Sequence, residues 1–562
     1  MTQINTTVCG GPRWFEWLGL TALFLLAGSL GHDPWKQDET YSFGIIYHFY
    51  ITHSWLVPTN AGAPFMEKPP LYYWTAAVFC RLLGGALLPL HDAARLASVF
   101  YMAITCAAVW ASSQVLFHAQ EDRRAMGRAT LALLLGCFGL ARHAHDMFTD
   151  MALLAGTSVA LLGMALVICA PERWLRAGLA LGAGAGMAFL SKGLFVPVML
   201  VVSGIVLLAM LPQLRRRETF RALGVALFAA SPFLLVWPLL LYQYSPALFV
   251  EWFWQNNVGR FLGFSVDRLG AGNGKGYMLY AVTWFAFPAF PLAAATVYFR
   301  RREWRAPEYI LPLAVSGVGF ALLLSSASAR ALYLLPLLPA FALLGAQALV
   351  RLPVRPLAGW NIAVRSVASI IALIIVVMWL CLLHPAGPQP FARLYGGWLP
   401  PGFLPERGQG VACLAALAAG MFWLASFRLH GRSYENTAYL WLAAVALPWC
   451  LAMTLLLPWM DETRSFRSVL ADVTRVISAP QYADACIARR SLGESVAPMW
   501  EYFGHGRGLG PVEDFDGKRC PLLLLMTGKS MAPVSDPRWH LIWKGSRRMD
   551  DKDELQLYER NI

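Results

Sequence analysis

Residues 14–41 read WFEWLGLTALFLLAGSLGHDPWKQDETY, an apolar run that breaks at Gly31-His32-Asp33 into the polar string Lys36-Gln37-Asp38-Glu39-Thr40-Tyr41. The run approaches the roughly 20 residues that cross a bilayer core. It follows Arg13 and no small-x-small cleavage site ends it, so it is expected to remain as the first membrane span. Similar runs recur at 94–117, 127–142, 151–169, 177–190, 194–213, 222–242, 277–298, 308–325, 331–350, 366–383, 410–427 and 438–459, giving about thirteen spans. With 57% hydrophobic and 14% charged residues among 562, the chain reads as a mainly α, polytopic membrane protein. The runs at 127–142 and 177–190 are short, and Gly178, Gly182, Gly184 and Gly186 mark the second as a helix that packs closely against its neighbours.

Charge gives an independent check on this reading. The four lysines of the first 460 residues, Lys36, Lys68, Lys192 and Lys275, lie between apolar runs on loops that alternate with arginine-rich ones. The arginine loops carry Arg123, Arg124 and Arg128, then Arg173 and Arg176, Arg215 to Arg217 with Arg221, Arg300 to Arg302 with Arg305, Arg351 and Arg355, and Arg428 and Arg432. Cytoplasmic loops are enriched in such charge, which places the N-terminus inside and the lysine loops outside. The formal charge of +13 is then topology and attraction to anionic inner-leaflet lipid. Nucleic-acid binding needs a soluble basic surface that the sequence does not offer.

Residues 1–460 are expected to form the membrane domain. Residues 461–562 read as a soluble α/β domain, with helical patterning at 464–478 and strand-like stretches at 484–488, 521–526, 539–543 and 555–559. Cys486 and Cys520 fall in this exported tail, where a disulfide can persist, and the sequence leaves a bridge and two free thiols both open. The remaining cysteines are scattered, mostly in apolar runs, and show no metal-ligand spacing. Three external loops are long, at 32–93, 243–276 and 384–409. In the first, the aromatic stretches 41–53 and 71–83 read as short interfacial helices that hold polar motifs at headgroup depth.

That first loop carries Asp38-Glu39-Thr40 and Glu67-Lys68-Pro69-Pro70-Leu71-Tyr72. His143-Ala144-His145-Asp146 precedes Thr149-Asp150 at the entrance of a span, and Ser191-Lys192-Gly193 separates two more. Trp252, Trp254, Asn256, Asn257 and Arg260 share a later loop, and Arg330 leads into Tyr333. Singly, each has a plain structural reading: a solvated acidic turn, an acid on a helix dipole, a snorkelling lysine, a loop-capping arginine. Together they bring acids and cations to one face beside lipid. That set suits group transfer from an anionic lipid carrier, in which cations hold phosphate, stabilise it as it leaves, and a carboxylate orients or deprotonates the acceptor.

In order and placement these motifs, with Gly259-Arg260-Phe261, resemble the aminoarabinose transferase (ArnT) family and related GT-C glycosyltransferases over roughly residues 14–350. The resemblance implies a multispan membrane domain, interfacial helices in the first external loop, and a periplasmic C-terminal α/β domain. It implies Asp38 and Asp150 as the carboxylates near the reacting centre, with Glu39 and Glu67 supporting them. It implies substrate binding by Lys68, Lys192, Arg260, Arg330, Tyr333 and Tyr72. The donor would be a sugar on undecaprenyl phosphate, the named case being 4-amino-4-deoxy-L-arabinose. The acceptor would be lipid A phosphate or another envelope glycan, and the setting the periplasmic side of a bacterial inner membrane. No organic cofactor is implied, and a divalent metal ion is left open. The chain departs from the family motif, which usually has Pro before the first Asp and Arg-Tyr after the Glu, by carrying Gln37 and Tyr41-Ser42. A protein O-glycosyltransferase of the same fold is the alternative enzyme, and a lipid-linked sugar flippase the alternative of another class.

Overall fold

The computed structural model describes residues 11–36, 38–265, 276–328, 330–383, 409–429, 433–482, 485–504, 509–512, 520–529, 536–548, 550 and 552–561. Gln37, Lys275 and residues 384–408 of the third long loop lie outside this set. Each of the apolar runs is helical. Among the described residues, seven helices are long and apolar enough to cross a bilayer unaided: Leu90–Leu116, Asp150–Cys169, Arg217–Tyr244, Pro307–Ser325, Ala331–Arg351, Arg355–Leu383 and Tyr434–Leu455. The run read as one span at 277–298 is a broken pair, Tyr277–Phe285 and Ala289–Phe299, bent by 98°. Trp14–Leu26, Phe195–Met210 and Gly410–Ser426 are shorter apolar helices.

The glycine-rich helix Trp174–Lys192 packs closely on both sides. A Cβ at Gly184 would strike the Gly156 carbonyl and Ala160 amide of Asp150–Cys169, and one at Gly182 would strike the Ala226 carbonyl of Arg217–Tyr244. Backbone-to-backbone approach of this kind is how membrane helices associate where no water-driven burial separates them from lipid. The helix ends at Gly193, whose φ of +80° suits a residue without Cβ.

The first long loop folds into the helices Asp38–Thr52 and Leu71–Leu83, joined through the two-residue strands Thr59–Asn60 and Ala63–Pro64. Asp38–Thr52 is mostly buried, because the C-terminal helix Gly493–Phe503 covers its outer side. Phe43 meets Tyr502 edge-on at 4.7 Å. The C-terminal unit is a five-stranded mixed sheet in the order Leu509–Val512, Ile487–Arg490, Leu522–Gly528, Asp553–Arg560, Trp539–Gly545. Its central strand, with Leu522 to Leu525 all buried, pairs parallel with Ile487–Arg490 and antiparallel with Asp553–Arg560. Cys486 and Cys520 are bridged, beside the paired positions Ile487 and Leu522.

Candidate active site

Two cavities hold the polar motifs singled out by sequence. The inner one, about 310 Å³, has apolar walls that include Leu153, Phe195, Val198 and Leu322, with Lys68, Lys192 and Arg260 as its cations. Glu67, Asn256, Asn257 and Tyr333 complete its polar lining. Arg260 follows the wide-turn helix Glu251–Gly259, a form that marks functional segments often. Its Nη2 lies 3.1 Å from Glu67 Oε2. The backbone at Gly193 passes so close to Asn257 that a Cβ would overlap its Oδ1, which holds Lys192 and the Asn256-Asn257 pair on one cavity.

The outer cavity, about 650 Å³, is polar and includes Asp38, Glu39, His143 and Asp146 in its lining. Its cations are Lys36, Arg142, Arg464 and Arg547. Tyr41 links the two cavities: its hydroxyl donates to Asp38 Oδ1 at 2.8 Å and accepts from Lys68 Nζ. Burial and the neighbouring Asp38 keep this phenol far above its ordinary pKa, hence protonated. Burial works against ionisation of Asp38, but Lys68, the Tyr41 hydroxyl, Arg330 and Lys192 together hold its carboxyl below the ordinary range. Asp150 opens its helix fully buried, with Oδ1 paired to Lys192 and Oδ2 without a hydrogen-bond partner among the described residues. The Lys192 ammonium lies 4.6 Å over the Tyr333 ring, a cation–π contact.

Glu39 joins the acidic motifs into one frame. Its Oε1 accepts from Arg95 Nε at 3.0 Å and from the Met147 amide at 3.1 Å, and its Oε2 from the Trp35 amide at 3.0 Å. Burial opposes its charge, yet Arg95 and His32 keep its carboxyl below the ordinary range. Arg95, fully buried, also donates to Asp92 Oδ1 at 3.0 Å and to the carbonyls of His32 at 3.2 Å and Asp33 at 3.4 Å. One guanidinium therefore ties the chain before Asp38 to the helix Leu90–Leu116, and through Glu39 to the loop before Asp150.

Residues 67–240 match the dolichyl-phosphate-mannose-protein mannosyltransferase family. The chain is 26% identical over 254 residues to the undecaprenyl phosphate-alpha-4-amino-4-deoxy-L-arabinose arabinosyl transferase 2 of Pseudomonas fluorescens, which covers 44% of this chain and 42% of that protein. It is 25% identical over 429 residues to transferase 1 of the same organism, covering 73% and 75%. Against the first three relatives the match spans 42%, 43% and 45% of their length. The fold superposes with a TM-score of 0.69 on ArnT from Cupriavidus metallidurans bound to undecaprenyl phosphate, at 18% identity over 97% of this chain and 98% of that one. The chain has the fold of ArnT and is similar in sequence to the aminoarabinose transferases.

Of the residues singled out by sequence, this ArnT-like fold brings Glu67, Lys68, Lys192, Arg260 and Tyr333 onto the inner cavity and Asp38 and Glu39 onto the outer one. Arg330 is exposed and near enough for its charge to act on Asp38. Tyr72 stands apart: it is fully buried, with its hydroxyl bonded to Ser98 Oγ at 2.7 Å, and lines neither cavity. Lys36 pairs with Asp553 at 2.5 Å in the C-terminal sheet. His143 and His145 both line the outer cavity but bond different partners. His145 bonds the Phe24 carbonyl at 2.7 Å, while His143 bonds Asp146 at 2.7 Å. Among the described residues no group of three or more His, Cys, Asp or Glu is placed to hold a metal ion. Sequence reasoning missed Arg95, although an arginine at the mouth of a span is a signal in itself.

Proposed function

We propose that the protein is a glycosyltransferase that takes a sugar from undecaprenyl phosphate and passes it to lipid A or another envelope glycan at the periplasmic face of a bacterial inner membrane. The observation that carries this reading is the inner cavity, whose apolar walls and three cations match an isoprenoid chain ending in a phosphate. The relatives' names support 4-amino-4-deoxy-L-arabinose as the first donor sugar to test.

The reaction we propose is a direct displacement with inversion. The acceptor oxygen attacks the anomeric carbon, and the bond to the carrier phosphate breaks with its electron pair left on the phosphate oxygen. Lys68 and Arg260 take up that charge, Lys68 as a point charge and Arg260 as a fork. Asp38, held ionised in the outer cavity and linked through Tyr41 to Lys68 of the inner one, favours the positive charge that develops on the sugar ring and orients its substituents. Asp150 sets Lys192. The outer cavity, reached across Tyr41 from the carrier site, is the acceptor's place. The match of residues 67–240 to protein mannosyltransferases favours a protein acceptor as the second reading. Mass spectrometry of lipid A from cells with the native chain, with Lys68→Ala and without the protein tests the first. A sugar adduct present only with the native chain is expected, and identical lipid A in all three would exclude lipid A as acceptor.

A further inference from the structure

Three histidines line the outer cavity, and they differ in what their ring nitrogens do. His32 has both tied, one to the Asp33 carbonyl at 2.8 Å and the other to the Gly28 carbonyl at 3.1 Å. His145 is buried, bonded to the Phe24 carbonyl and stacked on Trp449 at 4.5 Å between ring centroids. His143 is partly open, its side chain 21% exposed. Its Nδ1 meets Asp146 Oδ2 at 2.7 Å, and its Nε2 makes no hydrogen bond among the described residues. Phe148 and Phe285 flank the ring at 5.8 and 6.2 Å and hold its plane. A carboxylate on Nδ1 fixes the tautomer that leaves Nε2 as a proton acceptor, the arrangement of a general base with its orienting acid.

The nearby carboxylates are spoken for. Asp38 faces Lys68 and the Tyr41 hydroxyl, which lower its basicity. Glu39 is used by Arg95 and two backbone amides. Asp150 is enclosed with Lys192. Around His143, Arg142 shares its own loop, Lys36 comes from the first external loop, and Arg464 and Arg547 come from the C-terminal side. Two of these cations are partly neutralised, Lys36 by Asp553 and Arg547 by Asp550 at 2.7 Å. Arg142 and Arg464 remain without an ion pair among the described residues. The cavity thus offers an imidazole nitrogen without a hydrogen bond, among the described residues, beside positive charge.

We propose that His143, oriented by Asp146, is the general base of the transfer, and that the acceptor is a hydroxyl on an anionic glycan or glycolipid. This rests on the transferase reading above and narrows it, since a phosphate acceptor is already ionised and has no proton to give up. The acceptor hydroxyl gives its proton to His143 Nε2 as its oxygen bonds the anomeric carbon. The carbon–phosphate oxygen bond breaks, and undecaprenyl phosphate leaves with the electron pair, held by Lys68 and Arg260. Arg142 and Arg464 receive the acceptor's anionic group.

The test uses the full-length protein in lipid nanodiscs. Donors are undecaprenyl phosphate carrying 4-amino-4-deoxy-L-arabinose, glucose or mannose, and the acceptor is lipopolysaccharide from the producing cells. The expected product is a glycoside that survives the mild acid that cleaves glycosyl phosphates. His143→Gln is expected to lower kcat by about 100-fold or more, with donor KM within about twofold, and to remove the acid limb of the pH–kcat profile. Equal affinity of His143→Gln and the native chain for undecaprenyl phosphate shows that the variant is folded. Should it not bind, Asp146→Asn, with the same kcat and pH readouts, carries the test. An acid-labile glycosyl phosphate product, or a His143→Gln kcat within about threefold of native, overturns the proposal and leaves the transferase reading standing. No transfer from any donor by the native chain overturns the transferase reading itself.

Discussion

Replacing Arg95 by methionine removes the charge that holds Glu39 and Asp92, both buried. The substitution keeps most of the apolar stem and deletes bonds of 3.0 Å to each carboxylate, together with two to backbone carbonyls. Breaking a buried pair by removing one partner costs about 3–5 kcal/mol, because the other charge is left uncompensated. Glu39→Gln alone leaves Arg95 paired with Asp92 and is expected to cost about 1.5–3 kcal/mol, the worth of a charged hydrogen bond. In the double variant the unpaired carboxylate at position 39 is gone, so the combined loss should fall short of the sum by about 2 kcal/mol. The assay is reversible unfolding in mixed micelles, followed by tryptophan fluorescence, for the native chain, both single variants and the double. Losses that add within about 0.5 kcal/mol, the behaviour of independent sites, would refute the assignment of Arg95 as the clamp. The same series should lower transfer activity in the same order, since Glu39 also holds the Met147 amide, three residues before Asp150.

Three further outcomes follow from the geometry. Lys68→Ala should weaken undecaprenyl phosphate binding by about 1.5–3 kcal/mol, the value of one charge-assisted hydrogen bond, which titration calorimetry reads directly. Burial, reinforced by the Asp33 carboxylate, raises the Asp461 pKa from 3.8 to about 7 against hydrogen bonds from Trp35 and the Asp33 amide. Because the folded value lies above the unfolded one, this stabilisation is fully present below the unfolded value and lost as pH rises through about 7. Asp461→Asn, which cannot ionise, should therefore gain on the native chain by up to about 1.4 kcal/mol per pH unit between pH 4 and 7 and level off above, and a pH-independent difference in melting temperature contradicts this. Reducing Cys486–Cys520, which closes a separation of 34 residues, should destabilise the C-terminal sheet by about 3–4 kcal/mol on loop-entropy grounds, seen as earlier proteolysis of that unit under reducing conditions.

The helices were legible because hydropathy is local: each apolar run carries its own evidence, and the glycines of Trp174–Lys192 declared the close packing that the structure shows. The break in the run at 277–298 was not, since both arms are equally apolar and the bend depends on what they pack against. The strands at the heart of the C-terminal sheet were legible from their apolar stretches. The edge strand Leu509–Val512, containing Gly510 and Pro511, lacks that signature and exists through its pairing with Ile487–Arg490. Most candidate site residues were legible as acids and cations on one face. What each touches was not, because Glu39 and Arg95 lie 56 positions apart and meet only in the folded chain. Lys36 reads by sequence as one more cation of the chemical face, yet its partner, Asp553, is 517 positions away. The sequence likewise could not separate His143 from His145, two positions apart, which the fold sends to different surroundings.

The central claim is that the inner cavity seats a polyprenyl phosphate whose sugar is handed on. The most direct test is release of undecaprenyl phosphate from undecaprenyl-phosphate-linked sugar by the purified chain with envelope glycolipid present, measured by mass spectrometry alongside Lys68→Ala and Asp38→Asn. The account predicts acceptor-dependent release by the native chain and a loss of about 100-fold or more in each variant. Release that is absent in the native chain, or unchanged in both variants, would contradict it.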